Sequence, residues 1–63
     1  MNFGEMVLDF RVKHNLTQQK VADLFGVSKN MVSRYEKGTD KPNARHRIVF
    51  EQKMKEWEEK KND

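Results

Sequence analysis

The chain is 63 residues long, carries no cysteine, and holds 13 basic against 10 acidic side chains for a net charge of +3. So short a chain makes one domain, residues 1–63, burying only roughly 60% of the surface its unfolded form exposes, which leaves a marginal core and little wall for an enzymatic cleft. Disulfides and thiolate metal sites are excluded, and His14 and His46 stand far apart with no ligand-like spacing, so neither a metal, a cofactor nor catalysis is expected.

Glu5 and Asp9 interrupt the apolar character of the N-terminus, which argues against a secretory signal. The longest apolar runs, such as Ile48–Phe50, fall far short of a membrane span. A soluble intracellular protein is expected. The charge is unevenly placed: residues 1–27 balance at zero, residues 28–47 carry six basic against two acidic groups, and residues 51–63 carry four against five. The positive excess in the middle suits a polyanionic partner, although a merely solvated basic surface has the same composition.

A first helix is predicted from about Asn2 to Lys13, with Asn2 as cap and Phe3, Val7 and Phe10 forming one apolar stripe at i, i+4, i+7. His14 and Asn15 end it, Asn tolerating a left-handed turn. The second helix starts at Thr17, turns Val21, Ala22 and Phe25 inward, and stops at Gly26. Val27 is placed to plug the core under a tight turn. Ser28 then caps a third helix that ends at Gly38. On that helix Val32 and Tyr35 share one side, while Lys29, Asn30, Ser33, Arg34 and Lys37 spread over a separate polar face with Glu36 near its edge. Met31 has two readings, a contact to a thymine methyl or partial burial.

After the loop Thr39–Pro42, a long last helix is predicted over about 44–60, supported by the i, i+4 pairs Glu51–Lys55 and Glu56–Lys60. Ala44 and Ile48 fall on one side of it; Phe50, Met54 and Trp57 fall roughly opposite. Two readings of that stripe stand open. It can fold back onto the first helix, or it can form an exposed apolar patch for a second copy or another protein. His14 and His46 read as surface residues, with no partnered carboxylate suggested by spacing. The expected fold is an all-α, compact helix-turn-helix bundle of about four helices with a long C-terminal helix and its core motif at 16–38.

The ordered set Leu16, Thr17, Gln18; Val21, Ala22; Gly26, Val27, Ser28; Tyr35, Glu36, Gly38; Pro42 resembles the Cro/CI-type (XRE-like) helix-turn-helix family of phage repressors and their bacterial relatives. Phe3, Gly4, Val7, Phe10 and Arg11 match its first helix, so the likeness covers roughly residues 3–42. Two features depart from the pattern. Arg47 stands where an apolar residue is usual, and one long helix replaces two shorter leucine-bearing ones. Met6, Leu8 and Leu24 are also apolar where polar residues are usual.

The resemblance implies a DNA-binding transcriptional regulator, a repressor by analogy, in the cytoplasm of a bacterial or phage-infected cell. It further implies a palindromic double-stranded operator as the partner, and neither a membrane nor a small-molecule effector is expected. It also implies a structural ion pair between Arg11 and Glu36. The N-terminal part of the third helix is expected in the major groove, with Lys29, Asn30, Ser33 and Arg34 at base edges. Arg34 can pair twice with guanine and Asn30 twice with adenine. Gln18, Ser28, Lys37, Thr39, Lys41 and Asn43 are the expected phosphate contacts. A homodimer through Phe50, Met54 and Trp57 is expected. The alternative is a small phage or mobile-element modulator that uses the same stripe to bind a repressor or other protein.

Overall fold

In the structure, a computed structural model that describes residues 1–61, the Asn2 side chain accepts the Glu5 amide at 2.8 Å and starts α1, Phe3–Lys13. The chain then passes through Asn15 at φ 56°, the left-handed turn its amide side chain tolerates. Thr17 accepts the Lys20 amide at 3.0 Å and opens α2, Gln18–Phe25. Ser28 accepts the Met31 amide at 3.1 Å and opens α3, Lys29–Lys37. Gly26 and Gly38 close α2 and α3 at φ 75° and 79°, where a side chain would be strained. Asn43 accepts the His46 amide at 2.8 Å ahead of α4, Ala44–Lys61. The fold is the expected all-α bundle, and the helix limits lie within a residue or two of those read from the sequence.

Each of the first three helices contributes one fully buried valine: Val7, Val21 and Val32. Phe3, Phe10, Ala22, Phe25 and Tyr35 surround them. α1 crosses the end of α3 at backbone contact. A Cβ added to Gly4 would overlap the Tyr35 carbonyl oxygen and lie 3.2 Å from its carbon, so only glycine lets the two helices approach this closely.

α4 corrects one expectation. Phe50 and Met54 are not a dimer or partner surface; they belong to the core. The Phe50 ring stacks on Phe25 with centroids 4.6 Å apart and planes at 9°, and it lies 6.1 Å from both Phe3 and Tyr35. Trp57 is half-buried against Phe10 at 5.6 Å and His14 at 4.9 Å. The physical reason is area: a phenylalanine, a methionine and a tryptophan remove far more apolar surface from water than Ala44 and Ile48, which remain exposed. Of the two readings of the stripe, folding back is the one realised.

Two side chains near α4 behave differently from their sequence reading. Glu51, expected to pair with Lys55, accepts from Arg47 Nε at 2.8 Å. The Arg47 guanidinium also lies 6.0 Å from the Phe3 ring and donates to Met6 Sδ at 3.7 Å, so it covers the edge of the bundle. His14, read as an unpartnered surface residue, has a side chain only 14% exposed, and its Nε2 lies 2.7 Å from Glu58 Oε2. The two residues are 44 positions apart, beyond any local pattern.

Candidate nucleic-acid interface

The outward face of α3 is built by its own cap and its own core residues. Ser28 fixes the start of the helix, Val32 and Tyr35 fix its rotation by burial, and the remaining positions turn outward. Lys29, Asn30, Arg34 and Lys37 are exposed and Ser33 is half-buried. Met31 is half-buried and packs against the core. The first turn of α3 contains no acidic residue, so its free amides and partial positive charge are not opposed locally.

Glu36, the one acid on α3, is withdrawn from that face. Arg11 donates to it from Nε at 2.7 Å and from Nη2 at 3.0 Å, a two-pronged pair, and Gln18 Nε2 donates at 3.1 Å. The Glu36 side chain is only 8% exposed. The hydrogen bond to Glu36 holds the Arg11 guanidinium above its ordinary pKa, partly opposed by desolvation, with the Glu36 charge adding to the rise. One carboxylate therefore ties α1, α2 and α3 together while leaving the exposed α3 surface cationic. Arg11 Nη1 also donates to the Leu16 carbonyl at 3.4 Å, anchoring the loop before α2.

This lock fixes Gln18. One of its two amide hydrogens is engaged by Glu36, which ties the N-terminus of α2 to α3 near its last turn. A shallow depression lined by Thr17, Gln18, Gln19 and Lys29 joins the two. Gln19, not singled out in the sequence, belongs to this surface, where its amide donates to Asp23 at 3.0 Å. Its adjacency to Gln18 in the first turn of α2 was the available signal.

Beyond α3, Thr39 Oγ1 donates to the Arg34 carbonyl at 3.3 Å, and Lys41 is exposed with its backbone amide bonded to Asp40 at 3.0 Å. Asn43 is exposed, but its side-chain oxygen caps α4. Ser28 is likewise engaged as a cap. Asp40 is the other residue that sequence reading missed. Its carboxylate stands 3.9 Å from the Arg34 guanidinium, both well exposed. Such an exposed pair contributes at most about 1 kcal/mol, so Arg34 can exchange it for a stronger acceptor. Asp40 also raises the Tyr35 hydroxyl pKa, after the larger effect of that ring's burial.

Among the described residues no group of His, Cys, Asp or Glu side chains is placed to hold a metal ion, and no helix is long and apolar enough to cross a membrane. Residues 7–46, more than half of the chain, match the helix-turn-helix family. The cryptic phage CTXphi transcriptional repressor RstR of Vibrio cholerae is 45% identical over 40 residues, which are 64% of this chain and 36% of that protein. The chain thus spans about a third of the relative it matches. No solved structure matches it. With two capped helices set at a glycine turn, a cationic outward face on the second, and that match across the whole motif, the chain belongs to the Cro/CI-type (XRE-like) helix-turn-helix family.

Proposed function

We propose that this chain regulates transcription by inserting α3 into the major groove of an operator, as a homodimer on a palindromic site, and that it represses by excluding polymerase. The observation that carries this reading is the outward face of α3, with its only acid sequestered by Arg11 and Gln18. Lys29, Asn30, Ser33 and Arg34 take the base edges, Arg34 bridging the two acceptors of a guanine and Asn30 the matching pair of an adenine. Gln18, Ser28, Lys37, Thr39, Lys41 and Asn43 take the phosphates. Ser28 and Asn43 do so through groups not engaged in capping, and Gln18 through its second amide hydrogen. The relative's role as a transcriptional repressor of a cryptic phage supports repression and a cytoplasmic setting in a bacterial or phage-infected cell. The alternative modulator reading loses the surface assigned to it, because Phe50 and Met54 are buried.

The test is binding to DNA from around the chain's own gene across a salt series. Wild type should lose affinity steeply with salt, by a slope of about −0.9 for each phosphate contact. Arg34→Ala should lower affinity for the preferred site by about 1–3 kcal/mol and relax the choice at one base pair, with the salt slope nearly kept. Equal binding of all sequences by wild type at low salt would sink the reading.

A further inference from the structure

α4 has a second face. Its core side is occupied by Phe50, Met54 and Trp57, yet Ile48 is 68% and Val49 42% exposed. At 100° per residue, the exposed positions turned away from Phe50 include Arg45, Ile48, Val49, Gln52 and Glu56. Arg45 and Glu56 are separated by three helical turns, so they lie within about 20° of each other around the axis. Read from the N-terminal end, the strip is a cation, two β-branched aliphatics, an amide and an anion.

We propose that this strip is the contact between two copies of the chain, with the two α4 helices antiparallel about a two-fold axis level with Phe50 and Glu51. Arg45 of each copy then stands level with Glu56 of the other. Ile48 and Val49 of the two copies interleave between these ion pairs, with Val49 level with Gln52 and Ile48 level with the aliphatic stem of Lys53. A parallel arrangement would set Arg45 against Arg45 and Glu56 against Glu56, so charge selects the antiparallel one. The same orientation opposes the two helix dipoles favourably. Each copy supplies the cation of one pair and the anion of the other, which is the requirement of an isologous contact that closes at two. That self-complementarity selects a second copy over an unlike partner. A contact between single helices buries less than the roughly 800 Å² per partner of a standard interface, so the dimer is weak in solution and is reinforced when both copies occupy neighbouring half-sites. The inference deepens the dimeric reading above and depends on it only for the DNA readout below.

The experiment is sedimentation of the full chain from about 10 μM to 1 mM, where a micromolar to near-millimolar association is read directly. Wild type should shift from monomer to dimer, and Ile48→Asp should stay monomeric. Arg45→Glu and Glu56→Arg should each weaken association roughly tenfold, and the two together in one chain should restore it, because the swapped charges pair again. All three positions of change are exposed, so circular dichroism should match wild type throughout. A wild type that stays monomeric at the highest concentration overturns the proposal. So does an Ile48→Asp variant that dimerises like wild type, or a double variant no tighter than either single one. On DNA, Ile48→Asp should keep sequence preference for a half-site and lose cooperativity on the full palindrome. Dimerisation through the strip without any DNA sequence preference would leave this inference standing and remove the regulator reading; the reverse result would do the opposite.

Discussion

The α2–α3 unit and α4 both bury one face of a helix, but they are held by different kinds of interaction. α2 and α3 are delimited by neighbours in sequence: Thr17 and Ser28 accept amides three residues on, and Gly26 and Gly38 turn left-handed at the far ends. α4 has a local start at Asn43, but its rotation is set from a distance. Phe50 reaches Phe3, Phe25 and Tyr35, one ring from each of the other helices, and His14 reaches Glu58 across 44 positions. A helix held by its own caps can be read from a short window. A helix held by aromatic packing can be read only once the other faces are known.

The sharpest way to break this contrast is Phe50→Ala. The change removes a buried ring that touches all three other helices, at a cost of about 3–4 kcal/mol. A 63-residue domain has a total stability of only about 3–9 kcal/mol, so the whole chain, including the locally capped α2–α3 unit, should lose most of its cooperative unfolding transition. Thermal melts followed by circular dichroism and by amide exchange check this. If α2 and α3 kept wild-type protection while α4 alone frayed, α4 would be an appendage rather than a member of the core.

The second prediction contrasts two ion pairs. Arg11–Glu36 is largely buried and shared with Gln18, whereas Arg34–Asp40 is exposed at 3.9 Å. Glu36→Gln should cost about 2 kcal/mol in urea denaturation, because Arg11 is left partly buried without its carboxylate. In double-mutant cycles the Arg11–Glu36 coupling should exceed about 1 kcal/mol and the Arg34–Asp40 coupling should fall below about 0.5 kcal/mol. Equal couplings would mean that the inner pair serves orientation alone.

What the sequence made legible follows the same division. Helix limits, the glycine turns and the core valines were readable because each leaves a signal within a few residues. The face of α3 was readable because Val32 and Tyr35 fix its rotation. The Arg11–Glu36 pair came from family likeness rather than from spacing. The stripe on α4 stayed ambiguous, since Ile48 and Phe50 are both apolar and only the presence of Phe25 and Phe3 opposite decides which turns inward. Glu58 could not be assigned to His14 for the same reason: nothing local joins the end of α1 to the last turns of α4. Asp40 beside Arg34 was hidden by the reversal of the chain at Gly38, which brings a residue six positions on back to the helix end.

A third prediction compares the caps. Ser28→Ala and Asn43→Ala each remove one side-chain acceptor at a helix start and should each cost about 1 kcal/mol. In a domain of this size that is roughly 4–8 °C in melting temperature. Equal losses would show that α3 and α4 begin by the same local means and differ only in what holds them afterwards. A loss at Ser28 several times that at Asn43 would place the difference at the helix starts instead.

The smallest effect is at the far end of α4 and depends on pH. The hydrogen bond with His14 lowers the pKa of the Glu58 carboxyl; desolvation opposes this, and the nearby charges of Lys13 and His14 assist it. Because the folded chain holds this acid more weakly protonated than the unfolded chain does, its contribution is fully present above the ordinary carboxylate value of about 4.3 and is lost as pH falls through the lower folded value. The side chain is partly open to solvent, so the contribution stays below about 1 kcal/mol. Wild type should therefore exceed Glu58→Gln in stability at pH 6 and converge with it near pH 3, measured by urea unfolding at each pH. Trp57 fluorescence gives a local readout, since His14 lies against that ring at 4.9 Å. Parallel stability curves with no convergence would show that the His14 contact is packing alone. Convergence accompanied by a Trp57 signal change, with the α2–α3 amides still protected, would show that the distal turns of α4 are held by a titratable contact while its middle is held by Phe50. The contrast between locally and distantly held structure would then run through α4 itself.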